Sequence, residues 1–290
     1  MFKQFFVVVL RPVYWYCHAQ FLKRRRVMNE STIVATYDYR LVALSVLIAI
    51  CASYAALDLA GRVAATRNKA RQAWLFGGAI AMGTGIWSMH YTGMLAYRLP
   101  VQVYYHIPTV ILSLVAAIVA SLIALFIVSR EQLNSLHVTA GSLLMGTAIA
   151  AMHYTGMAAM RLPAMHHWDP TIVLASVGIA VAVSLAALVL TFLFREEKQG
   201  VLLKIACSIV MGGAIPAMHY TAMAAVTYTS MQTAPDLSFA IDISGLANGA
   251  IIIVSFVLLG CVFLFRWKEK SRNAAAPQVQ GRQPAQSRTY

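Results

Sequence analysis

Histidine recurs at positions 90, 153 and 219, each time in the same cluster: "SMHYTGM" from Ser88, "AMHYTGM" from Ala151 and "AMHYTAM" from Ala217. Three methionines keep fixed offsets of −8, −1 and +4 from each histidine: Met82, Met89, Met94; Met145, Met152, Met157; Met211, Met218, Met223. On a helix turning about 100° per residue, offsets −8 and −1 lie within roughly 20° of each other, and +4 lies about 40° to the other side of the histidine. Each cluster therefore offers one imidazole and several thioethers near a single helical face. Imidazole suits copper, zinc or iron and thioether suits Cu(I), so the donors favour soft or borderline metals; haem iron with His and Met axial ligands is a chemical alternative. Hard ions are disfavoured, because they need several oxygens and Asp58 is the only acid inside the apolar segments. The competing reading is packing, in which methionine fills irregular gaps and histidine bonds a neighbouring carbonyl.

The elements that must position these residues are membrane helices. The chain has 290 residues, 60% of them hydrophobic and 11% charged, a composition unlike that of a soluble domain. Charge-free runs cover Leu41 to Leu57, Gln72 to Tyr97, Leu99 to Ser129, Gln132 to Met160, Pro170 to Phe194, Ile205 to Pro235 and Ile243 to Phe265. A helix crosses the hydrocarbon core with about 20 apolar residues, so the expectation is an all-α membrane protein with seven transmembrane helices. The histidines are 63 and 66 positions apart, which fits two spans and two short loops. The chain thus reads as three helical-hairpin repeats plus one extra helix. The odd-numbered spans repeat as well, through "ASYAAL", "ASLIAL" and "VSLAAL", with Ser45, Ser113 and Ser176 each eight residues before Ser53, Ser121 and Ser184. A histidine inside a membrane is costly unless it faces the bundle interior. The even-numbered spans are accordingly expected as an inner ring with their histidines turned to a shared axis. Glycine at −7 (Gly83, Gly146, Gly212) leaves room there for another helix or a cofactor.

Lys and Arg flank the spans, so the net charge of +13 reflects membrane topology and not nucleic-acid binding. One set of loops holds Arg62, Arg67, Lys69, Arg71, Arg130, Arg195, Lys198, Lys204, Arg266, Lys268, Lys270 and Arg272, while the other holds Arg40, Arg98 and Arg161 with three aspartates. The asymmetry places the N-terminus outside and the C-terminus inside. Residues 1–36 form an N-terminal segment whose Lys23 to Arg26 oppose that orientation, which is resolved if Met28 is the true start or if "MFKQFFVVVL" at residues 1–10 is a short interfacial segment. Residues 37–266 then form the membrane domain and 267–290 a disordered cytoplasmic tail. Tyr91, Tyr154 and Tyr220 are expected as hydrogen-bond partners supporting the site or as interfacial anchors. His106, His137, His166 and His167 lack repeat partners and fall outside the site.

Three "MHYT" motifs on alternate spans resemble the MHYT domain of bacterial membrane sensor proteins, over roughly Tyr37 to Tyr228. The resemblance implies a multi-pass module of the bacterial inner membrane that binds copper near the outer face and senses oxygen, carbon monoxide or nitric oxide. By position it assigns the metal to Met89, His90, Met94, Met152, His153, Met157, Met218, His219 and Met223. Ala222 departs from the glycine of the first two copies. No catalysis is expected of this chain, and signalling would pass to a separate cytoplasmic protein. A copper-handling or transport role, or a haem protein, is the alternative.

Overall fold

A computed structural model describes residues 32–194 and 201–242, apart from 133, 232 and 233, together with 245 and 260. The expected seventh span, residues 1–31 and the C-terminal tail lie outside the described residues. Among the described residues there are six helices: α1 (Tyr39–Ala65), α2 (Asn68–Ala96), α3 (Ile107–Val128), α4 (Ser135–Ala158), α5 (Pro170–Phe194) and α6 (Val201–Ala224). All but α2 are long and apolar enough to cross a membrane. At 29 residues α2 has the length, at about 1.5 Å per residue, but glycines and polar side chains dilute its apolar character. The chain is a multi-pass membrane protein.

Each helix packs against the next, and α6 closes the ring by packing on α1. The odd helices α1, α3 and α5 also touch one another, and α2 touches both α4 and α6. The six therefore form one closed ring, not an even-numbered ring inside an odd-numbered one. Side-chain caps start the helices where the chain turns: Arg40 N–H donates to Asp38, His137 N–H to Asn134 and Thr171 N–H to Asp169, each satisfying an orphan donor of the first turn.

The sequence reading contained no strands, and here the structure corrects it. Among the described residues, eight short strands cover one end of the bundle: β1 (Thr32–Ile33), β2 (Thr36–Tyr37), β3 (Tyr97–Arg98), β4 (Tyr104–His106), β5 (Met160–Arg161), β6 (Ala164–Trp168), β7 (Val226–Ser230) and β8 (Ala240–Asp242). They pair antiparallel in the orders β1-β7-β6, β2-β3 and β5-β4-β8. The charge-free runs overshot the helices here, because β-branched and aromatic residues such as those of "VTYTS" and "YYH" are uncharged yet favour strands. Three equivalent backbone bonds tie each hairpin at this end: Asp38 N–H to Ala96 O, His106 N–H to Ala159 O and Asp169 N–H to Ala225 O, at 2.8–2.9 Å. The opposite end carries Arg62, Arg67, Lys69, Arg71 and Arg130, with Arg62 paired to Asp58 at 2.9 Å.

The interior divides along the same direction. Under the strands lies a cluster rich in sulfur and aromatic rings, including Tyr91, Met94, Tyr105, Met157, Met160, Met223 and Tyr228. Toward the basic end the core is mostly Ala and Leu. Glycine at −7 serves helix contact: a Cβ on Gly83 would lie 2.6 Å from the Ile118 backbone of α3, and one on Gly146 2.6 Å from the Val181 backbone of α5. Gly212 meets Ile50 of α1 in the same way. Each even helix is thereby pressed against the first helix of the following hairpin, and the backbone contact leaves no room there for a cofactor.

Candidate metal centre

His90 on α2, His153 on α4 and His219 on α6 meet at the centre of the ring. Their Nδ1 atoms form a nearly equilateral triangle, 3.1 Å between His90 and His219 and 3.2 Å on the other two sides. The rings stand edge to face, with centroids 4.9–5.1 Å apart and interplanar angles of 79–82°. All three are buried, at 0–1% exposure. Three helices supply one imidazole each from the same repeat position, which is why the arrangement has near three-fold symmetry.

The triangle limits how the imidazole protons can be arranged. A neutral imidazole carries one N–H, so each Nδ1 is either a donor or a lone pair. Three lone pairs facing each other repel and three N–H groups cannot share the centre, whereas one Nδ1–H can be shared between the two lone pairs that face it. A cation at the centre would satisfy all three Nδ1 atoms at once. The centre of a triangle with these sides lies about 1.8 Å from each corner, close to the roughly 2.0 Å of a metal–imidazole bond. With Nδ1 turned inward, the Nε2 atoms point away from the centre, and none of the three has a hydrogen-bond partner among the described residues.

The Nε2 edges are accommodated by glycines of the neighbouring copies. A Cβ on Gly93 would run into His219 Nε2, and one on Gly156 into His90 Nε2. The same step around the ring leads from His153 to position 222, where the third copy has alanine. Sequence reasoning missed this role of the "HYTG" glycine. The signal was its place at +3, but the partner belongs to another repeat.

The methionines are buried, at 0–3% exposure for Met89, Met94, Met152, Met157, Met218 and Met223. Met94, Met157 and Met223 all belong to the cluster on the strand side of the histidines. Met89, Met152 and Met218 fall into three different clusters, so the −1 methionines do not gather as the histidines do.

The tyrosines do neither of the jobs expected of them. Tyr154 Oη lies 2.6 Å from Ser176 Oγ and Tyr220 Oη 2.8 Å from Ser45 Oγ. Each serine donates to the carbonyl three residues earlier, at 2.7 Å, so the tyrosine is the donor in the pair. Tyr91 Oη is 3.5 Å from Ser113, because Trp87 Nε1 already donates to that hydroxyl at 3.0 Å. Each bond joins one hairpin to the next. The tyrosines close the ring and do not support an imidazole nitrogen.

Outside the triangle, Nδ1 of His106 lies 2.8 Å from Thr109 Oγ1, and Nε2 of His137 lies 2.6 Å from Arg130 at the basic end. His166 and His167 sit on β6. Among the described residues, His90, His153 and His219 form the one group of three His, Cys, Asp or Glu side chains close enough to share an ion.

The family model described as "Bacterial signalling protein N terminal repeat", MHYT, matches residues 30–73, 83–141, 146–203 and 212–276. Among curated proteins, the chain is 42% identical over 197 residues to the bifunctional diguanylate cyclase/cyclic di-GMP phosphodiesterase MucR of Pseudomonas aeruginosa, covering 68% of this chain and 29% of the relative. It is 36% identical over 196 residues to the signaling protein YkoW of Bacillus subtilis, covering 67% and 24%. It is 34% identical over 240 residues to the cyclic di-GMP phosphodiesterase NbdA of Pseudomonas aeruginosa, covering 82% and 30%. The chain therefore spans less than a third of the length of these relatives. No solved structure matches.

Proposed function

The chain belongs to the MHYT family of bacterial signalling-protein repeats, and from that premise we propose that it is a copper-dependent membrane sensor without catalysis of its own. The observation that carries the reading is the convergence of three buried Nδ1 atoms on one point. His90, His153 and His219 hold the metal. Met94, Met157 and Met223 supply thioethers on the strand side, and Met89, Met152 and Met218 complete the soft surroundings. An all-nitrogen, carboxylate-free pocket within thioethers favours Cu(I) among the metals that imidazole accepts. Haem fits poorly, since its macrocycle must pass between two axial ligands and here the rings fill the centre. When bound, Cu(I) held by three imidazoles supplies a position for a small neutral ligand such as oxygen, carbon monoxide or nitric oxide.

What this chain's residues contribute is a dry, rigid frame. The Tyr–Ser bonds hold neighbouring hairpins in register, Gly93 and Gly156 let the imidazoles of His219 and His90 reach the centre, and the apolar surroundings exclude water. A ligand that shifts one imidazole would move the helix carrying it, and that motion is the signal offered on the cytoplasmic side. The strand end faces the periplasm and the basic end the cytoplasm; the bias of Lys and Arg supports this orientation. Reporter fusions after Pro100 and Arg195 check it, a periplasm-active reporter being expected at the first and a cytoplasm-active one at the second.

The test of function is bound metal per protein after purification and copper reconstitution. Replacing His90, His153 or His219 by Ala removes the metal while thermal melting shows a folded bundle; His106→Ala and His137→Ala leave it in place. Equal metal in all five variants would return the triad to packing.

A further inference from the structure

We infer that the β6–β7 part of the β1-β7-β6 sheet carries a second, outward-facing site for a soft monovalent cation, made by Met165, His167 and Met231, which feeds the histidine triad. The inference rests on the metal reading of the triad for its destination, but the outer site stands on its own residues.

Side chains on paired strands alternate between faces, and directly opposed residues share a face. Met165 lies opposite Thr229 and His167 opposite Thr227, so these four share one face. Met231 continues that face two residues beyond Thr229, anchored by its N–H donating to Pro163 O at 2.9 Å. Met165 is 49% exposed and Met231 37%. These are large exposures for thioethers that could have packed. The imidazole of His167 leans toward the same point, with Nε2 2.9 Å from Thr229 Oγ1, the residue directly across from Met165. Two thioethers and an imidazole thus flank one threonine. Among protein donors, that combination selects Cu(I) or Ag(I) over hard cations.

The other face of the same sheet makes the position meaningful. Ala164, Val226 and Tyr228 belong to the buried cluster that also holds Met94, Met157, Met160 and Met223. Met160, 4% exposed, accepts a hydrogen bond from Tyr228 Oη at 3.8 Å. Thioethers therefore stand on both sides of a wall one strand thick, and the inner set adjoins the histidines by four residues of helix. A Cu(I) ion passed between thioethers keeps soft ligands at each stage and never needs an oxygen site.

The test uses the full chain in lipid nanodiscs with Ag(I), which binds like Cu(I) but does not change oxidation state. Wild type is compared with the surface variant Met165→Leu, His167→Asn, Met231→Leu, and with the triad variant His90→Ala, His153→Ala, His219→Ala. The expected result is that wild type takes up a tight and a weaker equivalent. The surface variant loses the weaker one and fills the tight site roughly ten-fold more slowly to the same final occupancy, and the triad variant keeps the weaker one. In wild type, sub-stoichiometric Ag(I) should also protect Met165 and Met231 from mild peroxide oxidation, read by mass spectrometry, which needs no variant to fold. Identical uptake by wild type and surface variant, or unprotected Met165 and Met231, overturns the outer site. Protection at the surface with no tight equivalent in wild type would leave the outer site standing and remove the triad as a metal centre.

Discussion

Two sets of three polar side chains are repeated with equal fidelity along this chain, and they behave differently. His90, His153 and His219 sit on the even helices, and Ser53, Ser121 and Ser184 on the odd ones; all six are at most 2% exposed. The imidazoles converge and each Nδ1 faces two others, whereas none of the three hydroxyls has a hydrogen-bond partner among the described residues. Repetition alone therefore does not make a site. What marks the histidine layer is that its donors point at one centre, with glycines at 93 and 156 leaving room for two of the three rings. The serine layer is explained by size: small side chains let α1, α3 and α5 approach one another where lipid provides no hydrophobic drive between helices.

The largest effect separating the layers should come from glycine. Gly156→Ala places a methyl against the His90 ring, forcing the imidazole away from its partners. Overpacking of this kind costs about 1–3 kcal/mol, so both thermal stability and bound metal should fall. Gly178→Ala, with nothing within 4 Å of the new Cβ, should be neutral or raise stability by up to about 1 kcal/mol through helix propensity. Similar melting temperatures for the two would contradict the packing argument.

An intermediate effect is expected from the tyrosines. Tyr154→Phe and Tyr220→Phe each remove a bond between hairpins, worth about 0.5–1.5 kcal/mol. Tyr91→Phe should cost less, since Trp87 already serves Ser113. Thermal melting of the three variants in one detergent ranks them; a largest loss at Tyr91 would mean that the geometry of the first copy has been misread.

The smallest effect belongs to the serines. Ser53→Ala, Ser121→Ala and Ser184→Ala each remove an unpaired hydroxyl whose burial costs on the order of 1–3 kcal/mol, so stability should hold or rise slightly and metal content should not change. Loss of metal in any of them would join the two layers into one site.

The repeat, the hairpin architecture and the three histidines were legible because each is written at fixed spacing in a segment with few other polar groups. Ser45, Ser113 and Ser176 were visible as a pattern, but their tyrosine partners lie in another hairpin, and local periodicity carries no record of which helix neighbours which. The strands were hidden for a related reason. β1 at Thr32–Ile33 pairs with β7 at Tyr228–Thr229, a contact between distant segments of two or five residues that a hydropathy reading absorbs into the adjoining spans. The glycines at 93 and 156 looked like part of a motif, and only the packed ring shows that each makes room for another copy's histidine.

The central claim is that three imidazoles, and not a mixed assortment of surface donors, hold the metal. X-ray absorption at the copper edge of the Cu(I)-loaded full chain tests it most directly. The account predicts imidazole nitrogen scatterers at about 2.0 Å, with multiple-scattering features from three rings that disappear in His153→Ala. Copper surrounded chiefly by oxygen, or an imidazole signal that survives the loss of His153 undiminished, would contradict it.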